Sequence, residues 1–185
     1  MDSTRYIVAI DLSPAEERAL HCITYELRAH FKGGYAYDEG TYHITLHLLE
    51  EMPEERLKDL QRVLKRAAAT QTPFMMVTGQ PSIVGQTNSA TIWINLSDGQ
   101  DALNQLHDKL GKKLGKAGFG VENSADAPHI TIGRFVDATA LSKALEEGTV
   151  PSMSLYAQAF TLLKRTIISG IPSYEQLCTV KFNGK

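Results

Sequence analysis

Hydrophobic and polar positions along the chain fall into short runs with two periods. Tyr6 to Leu12 is an apolar, β-branched run and predicts a buried strand. Ser13-Pro14-Ala15-Glu16 follows. A hydroxyl at the cap, proline at the first helical position and glutamate three residues on predict a helix start. Leu20, Ile23 and Leu27 recur at helical spacing, and the helix is expected to stop before Gly33-Gly34. Tyr42 to Leu49 alternates with period two and predicts a strand. Pro53 opens a second helix with a stripe of Leu57, Leu60, Leu64 and Ala67 or Ala68, and Pro73 closes it. Strands are expected at Phe74 to Val84 and at Ala90 to Leu96.

The order then recurs. Ser97 or Asp98 is expected to cap a third helix with the face Leu103, Leu106, Leu110 and Leu114, closed by Gly118. A strand is expected from His129 to Val136, a helix from about Asp137 to Glu147, and β-rich segments to Phe182. Pro14 precedes His43 by 29 residues, and Gly99 precedes His129 by 30. The spacing suggests two copies, residues 13–96 and 97–183, of a helix–strand–helix–strand–strand unit. Each is too small to bury its own face alone. The expectation is an α+β fold in which residues 1–185 form one domain. Two pseudo-symmetric lobes of antiparallel sheet would carry outer helices and enclose an active-site cleft.

Composition narrows the function. With 185 residues, 43% hydrophobic and 22% charged, the chain is neither a disordered tail nor a solenoid. Lys and Arg number 19 against 21 Asp and Glu, a net charge of −2. A protein that grips long nucleic acid by counterion release carries a large basic excess. Only a terminus or a small fragment remains as a nucleic-acid ligand. Cys22 and Cys178 are too few for a disulfide framework and lack metal-site spacing. Met1 to Leu12 has no basic stretch followed by a long apolar run, and no segment approaches the ~20 apolar residues that span a bilayer. A cytoplasmic monomer is expected, with no membrane association, cofactor or obligate protein partner.

The chemistry is concentrated in two strands that open alike, His43-Ile44-Thr45-Leu46 and His129-Ile130-Thr131-Ile132. On a strand, residues i and i+2 share a face. Each segment therefore presents one imidazole and one hydroxyl while its isoleucine and leucine pack into the core. Two such strands across one cleft would bring together two histidines and two threonines. Histidine can accept or give a proton near neutrality. A pair on opposite sides of a phosphorus atom can deprotonate an attacking water and protonate a leaving oxygen. Threonine hydroxyls can hold the oxygens on which negative charge builds. No metal is required.

The doubled His-x-Thr resembles the two-histidine phosphoesterase superfamily, specifically its 2′-5′ RNA ligase / RNA 2′,3′-cyclic phosphodiesterase branch. Thr41-Tyr42-His43-Ile44-Thr45-Leu46 is similar to the family's first motif, and Pro128-His129-Ile130-Thr131-Ile132-Gly133-Arg134 to its second. Leu163-Lys164-Arg165-Thr166 through Gly170, Pro172 and Tyr174 is similar to its C-terminal strand–turn–strand. The resemblance covers nearly the whole chain. It implies two lobes with a positively lined cleft, and an enzyme that opens a cyclic phosphate at an RNA end or on a small nucleotide to a 2′-phosphate. In that scheme His43 is the general acid, His129 the general base, and Thr45 and Thr131 hold the phosphoryl oxygens. The residues alone leave open which histidine plays which part. The alternative is a non-catalytic module binding a nucleotide or RNA end, and 2′-5′ ligation would be the weaker reverse reaction.

Other side chains are candidate substrate contacts. His47 stands where several family members carry a cation, and regular strand geometry would put it at the cleft rim, facing as His43 and Thr45 do. The His43–His47 spacing suits a zinc pair only on a helix, so a metal site is not expected. Arg134 reaches the cleft only if Gly133 bulges the strand. Lys164 and Arg165 point to opposite sides, so at most one lines the cleft. Tyr42 and Trp93 are candidates to stack a base. His21, His30 and His107 read as structural helix residues, and Lys109, Lys112, Lys113 and Lys116 as a solvated face. Gly79, Gly85, Gly111 and Gly115 match no phosphate-loop spacing.

Overall fold

The computed structural model describes residues 5–122 and 127–184. In chain order the elements are β1 (Arg5–Asp11), α1 (Pro14–Arg28), β2 (Tyr35–Ala36), β3 (His43–Leu48), α2 (Leu57–Ala68), β4 (Phe74–Val84), β5 (Ala90–Asp98), α3 (Gln100–Lys116), β6 (Ile130–Val136), α4 (Thr139–Glu147), β7 (Ser154–Ala157), β8 (Ala159–Ile168) and β9 (Ile171–Lys181). The fold is α+β. Its antiparallel sheet has the order β7-β4-β5-β6-β3-β1-β8-β9, with β2 paired to β6.

The sheet is two four-stranded halves joined where β3 meets β6, through the pair Ile44–Ile130. Each half draws strands from both stretches 13–96 and 97–183: β4 and β5 stand with β6 and β7 in one, and β3 with β8 and β9, around β1, in the other. Position by position the order mirrors about the joint, with β3 answering β6, β1 answering β5, β8 answering β4 and β9 answering β7.

Local rules account for the elements. Ser13 accepts from the Glu16 amide while the Glu16 carboxylate accepts from the Ser13 amide. This reciprocal cap contributes about 1 kcal/mol and turns the chain from β1 into α1. The third helix starts differently from expectation: Gly99, in left-handed conformation at φ 79°, is the cap residue rather than Ser97 or Asp98. A side chain at Gly99 would meet the Met75 carbonyl and Met76 at 2.7–2.9 Å, so the turn is packed directly onto β4.

The helices cover one face of the sheet. Leu20, Leu60, Leu64, Leu103, Leu110, Leu114 and Leu141 are buried there against Tyr6, Val8, Ile10, Ile44, Ile92, Ile94, Ile130 and Ile132. Each such side chain contributes about 1.5–3 kcal/mol by leaving water. The opposite face keeps only a small apolar cluster, Ile7, Ala9 and Leu163 with Leu48 and Tyr174 beside it. Alternation along β1 divides Tyr6, Val8 and Ile10 from Ile7 and Ala9. The uncovered face is where polar chemistry can stand. Among the described residues no helix is long and apolar enough to cross a membrane.

Candidate active site

A cleft of about 580 Å³ lies on the uncovered face along the joint, within the size range of small-molecule sites. His43, Thr45, His129, Thr131, Arg134 and Arg165 line it, together with Tyr37, Trp93 and Tyr174. Pairing of Ile44 with Ile130 in an antiparallel ladder puts His43 opposite Thr131 and Thr45 opposite His129. The two histidines then stand as diagonal neighbours, about 7–8 Å apart with somewhat less between their Cβ atoms.

The rings are held alike. Nδ1 of His43 lies 2.9 Å from the Thr41 carbonyl, and Nδ1 of His129 lies 2.9 Å from the Ala127 carbonyl. A carbonyl only accepts, so each neutral ring carries its proton on Nδ1 and presents Nε2 as the titrating atom. The surroundings differ. His43 meets the edge of Tyr174 at 4.7 Å, whereas His129 is stacked on Trp93 at 3.6 Å with the planes 17° apart. Burial, against the Thr41 hydrogen bond and reinforced by Arg134, His129 and Arg165, lowers the His43 pKa to about 4.

Two matching bulges decide what else reaches the cleft. Along β3, Thr45 pairs with Ala9 and His47 with Val8, so Leu46 is the extra residue. Along β6, Thr131 pairs with Trp93 and Gly133 with Ile92, so Ile132 is the extra residue. Each bulge reverses the alternation after the threonine. His47 is consequently turned to the helix face and is 5% exposed, its Nε2 2.9 Å from the His107 carbonyl and its ring stacked on His107 at 4.2 Å. It is not a rim residue. Burial also holds its pKa below the ordinary value. The same reversal delivers Leu48 to the cleft on β3 and Arg134 on β6.

Tyr42 is likewise not available to a base. It is 1% exposed, and its hydroxyl lies 2.9 Å from the Thr24 hydroxyl and donates to the Tyr37 carbonyl at 3.0 Å. Lys164 is on the helix face, paired with Glu54 at 3.0 Å, and Arg165 is on the cleft face. Lys109 and Lys113 line a separate small hollow beside α2, away from the cleft. His107 does reach the cleft's far end.

Tyr37 and Tyr174 were not anticipated as site residues. Their hydroxyls are 3.2 Å apart, and Arg134 Nε donates to Tyr37 Oη at 3.2 Å. This chain of contacts fixes the guanidinium against the cleft wall. Neither tyrosine carries a periodic signal: Tyr37 follows the two-residue β2, and Tyr174 sits on an edge strand. Among the described residues no group of three or more His, Cys, Asp and Glu side chains is arranged to hold a metal ion.

Comparison with known proteins places this geometry. The model of the 2′-5′ RNA ligase superfamily matches residues 13–166. An RNA 2′,3′-cyclic phosphodiesterase of Thermotoga maritima is 24% identical over 184 residues, covering 97% of this chain and 96% of that protein. One of Geobacillus stearothermophilus is 23% identical over all 185 residues, and this chain spans 59% of its length. Among solved structures, TT0787 of Thermus thermophilus superposes with a TM-score of 0.76 at 21% identity, over 98% of this chain and 99% of that one. Apo LigT of E. coli does so with 0.70 at 25% identity, over 98% of each.

Proposed function

Since the chain belongs to the 2′-5′ RNA ligase superfamily, we propose that it is a metal-independent phosphodiesterase that opens 2′,3′-cyclic phosphates at RNA ends or on small nucleotides. The observation that carries this reading is the square of His43, Thr131, His129 and Thr45 around one cleft. The relatives named above as RNA 2′,3′-cyclic phosphodiesterases support the same substrate chemistry.

In this mechanism the cyclic diester, a monoanion, lies between the imidazoles. Neutral His129 takes a proton through Nε2 from a water attacking phosphorus. The P–O3′ bond breaks as the new P–O bond forms, and protonated His43 gives its proton to the departing 3′ oxygen, leaving a 2′-phosphate. Thr45 and Thr131 donate to the non-bridging oxygens. His43 is neutral in the protein alone because of its burial and the nearby positive charges. The phosphate anion offsets those charges, so substrate itself favours the protonated acid. The imidazoles end with exchanged protonation and reset through solvent. An RNA-end substrate and the free thiols Cys22 and Cys178 support a cytoplasmic location.

The test is turnover of adenosine 2′,3′-cyclic phosphate in excess chelator. Conversion to the 2′-monophosphate is expected, with a loss on the order of a hundredfold or more in His43→Ala and in His129→Ala. Activity abolished by chelation would remove metal independence, and unchanged rates in both variants would remove the site. Ligand recovered intact after prolonged incubation would instead indicate a binding module.

A further inference from the structure

The bulges that mirror one another across the joint break the symmetry of the cleft in one respect. At equivalent positions, three residues after each threonine, β6 presents Arg134 and β3 presents Leu48. Arg165 belongs with Arg134 electrostatically, since both act on Tyr35, Tyr174 and His43. The other end is lined by Leu48, Ile7, Val84 and the carboxylate of Glu122, which pairs with Arg5. A polyanionic strand entering the cleft is therefore favoured at the Arg134 end and disfavoured at the Leu48 end.

An aromatic path leaves the cleft at that cationic end. From His43, ring contacts run to Tyr174 at 4.7 Å, to Tyr37 at 6.4 Å, to Tyr35 at 5.9 Å and to Phe135 at 6.0 Å. Phe135 is 60% exposed and has a left-handed backbone, φ 56°. The other non-glycine residue of this kind among those described, Ser169, sits in the two-residue β8–β9 turn, where the conformation is ordinary. Phe135 sits in a second bulge of β6, between the pairs Gly133–Ile92 and Val136–Ala90, where a glycine commonly takes this conformation and a bulky side chain is an outlier. The backbone is pinned: a Cβ on Gly34 would lie 2.4–2.6 Å from the Arg134 carbonyl oxygen and the Phe135 carbonyl group. Strain and apolar exposure are maintained together beside a cleft arginine, which is where function is expected to explain them.

We propose that Phe135 is the stacking platform of an upstream nucleotide subsite. A single-stranded RNA 3′ end would place its cyclic phosphate between the histidines, while a preceding base lies on the Phe135 ring and the intervening phosphate faces Arg134 and Arg165. The proposal rests on the cyclic phosphodiesterase reading and specifies its substrate as an oligonucleotide. Base–aromatic stacking tolerates any sequence, so the subsite reads chain length rather than base identity.

The experiment compares kcat/KM for adenosine 2′,3′-cyclic phosphate with that for di- and triadenylates ending in the same group. The oligomers should be preferred about fivefold to a hundredfold, the range expected of one stacked base. In Phe135→Ala that ratio should collapse towards one, and in Phe135→Trp it should persist. Equal kcat/KM for monomer and trimer, or a preference surviving in Phe135→Ala, overturns the subsite. Its failure is separable from that of the underlying reading, because mononucleotide turnover tests the latter alone. The dissociation constant of a fluorescent triadenylate 2′-phosphate needs no catalysis. It should rise at least fivefold in Phe135→Ala and not in Phe135→Trp, and equal affinities would overturn the proposal whatever the turnover.

Discussion

Acidification should weaken the fold through His43 by a calculable amount. The ordinary imidazole pKa is 6.5, and burial, with Arg134, His129 and Arg165 adding to it, brings that of His43 to about 4 in the folded protein. As pH falls below 6.5 the unfolded chain takes up a proton that the folded chain refuses, so stability declines until about pH 4, where both states are protonated. At about 1.4 kcal/mol per pH unit the full effect is about 3 kcal/mol. The decline reaches about 1 kcal/mol at pH 5.5 and roughly 2–3 kcal/mol at pH 4.5. Above pH 6.5 the group contributes no slope. The clean measurement is a difference: urea unfolding of the wild type and of His43→Gln at pH 7, 5.5 and 4.5. Glutamine can still donate to the Thr41 carbonyl and does not titrate, and the slopes of His47 and the carboxylates cancel. The wild type should lose stability relative to the variant over that interval. Parallel curves would show that His43 titrates normally and would refute the account of its environment.

Four further substitutions probe three separate parts of the argument. Thr45→Ala and Thr131→Ala should each lower kcat on 2′,3′-cyclic nucleotide by about tenfold to a thousandfold, with serine restoring most of it, if the hydroxyls hold developing charge. Gly34→Ala should lower the melting temperature by several degrees, because its φ is 64° and the added Cβ meets the Arg134 carbonyl oxygen at 2.4 Å. His47→Ala should cost about 1–3 kcal/mol in denaturant unfolding by removing a buried ring stacked on His107 and its hydrogen bond to the His107 carbonyl, while kcat/KM stays within about twofold; a large kinetic effect would return His47 to the cleft.

What the amino-acid sequence made legible was whatever depends on local period and local chemistry. The capping box at Ser13, the leucine face of α3 and the shared face of each His-x-Thr follow from spacing alone. The fate of His47 did not, because a bulge is a property of two strands pairing and leaves no mark in the alternation of either. Gly133 signalled one on β6, but nothing in Leu46-His47-Leu48 signalled the other. Gly111 supplies the missing reason: His47 Cε1 lies 3.0 Å from where its Cβ would be, so α3 has a gap shaped for that ring. Tyr42, one residue before β3, was misplaced for a similar reason, since the partner that buries its hydroxyl, Thr24, lies on α1. The placing of β4 and β5 beside β6, and of β8 and β9 in the half that holds β3, was also invisible, being a choice of neighbour rather than of conformation.

The duplicated motif explains the positions of the reacting groups but not how they could act in opposition. General acid and general base must begin a turnover in different protonation states, and two identical His-x-Thr segments with identical Nδ1 tethers provide no reason to differ. The difference has to come from residues outside the motif. Where β1 places Ala9 across from Thr45, β5 places Trp93 across from Thr131, and that indole stacks on His129. His43 has no such partner from β1. It is covered instead by Tyr174 on β9, with Arg165 on β8 and Arg134 on β6 bearing on it. Among the contacts described, His43 lies against a cationic, tyrosine-lined wall, and a bound phosphate would offset those charges. On the proposed mechanism the non-equivalent neighbours would set the direction of proton flow, and exchanging those neighbours should alter the pH profile more than exchanging the motifs themselves.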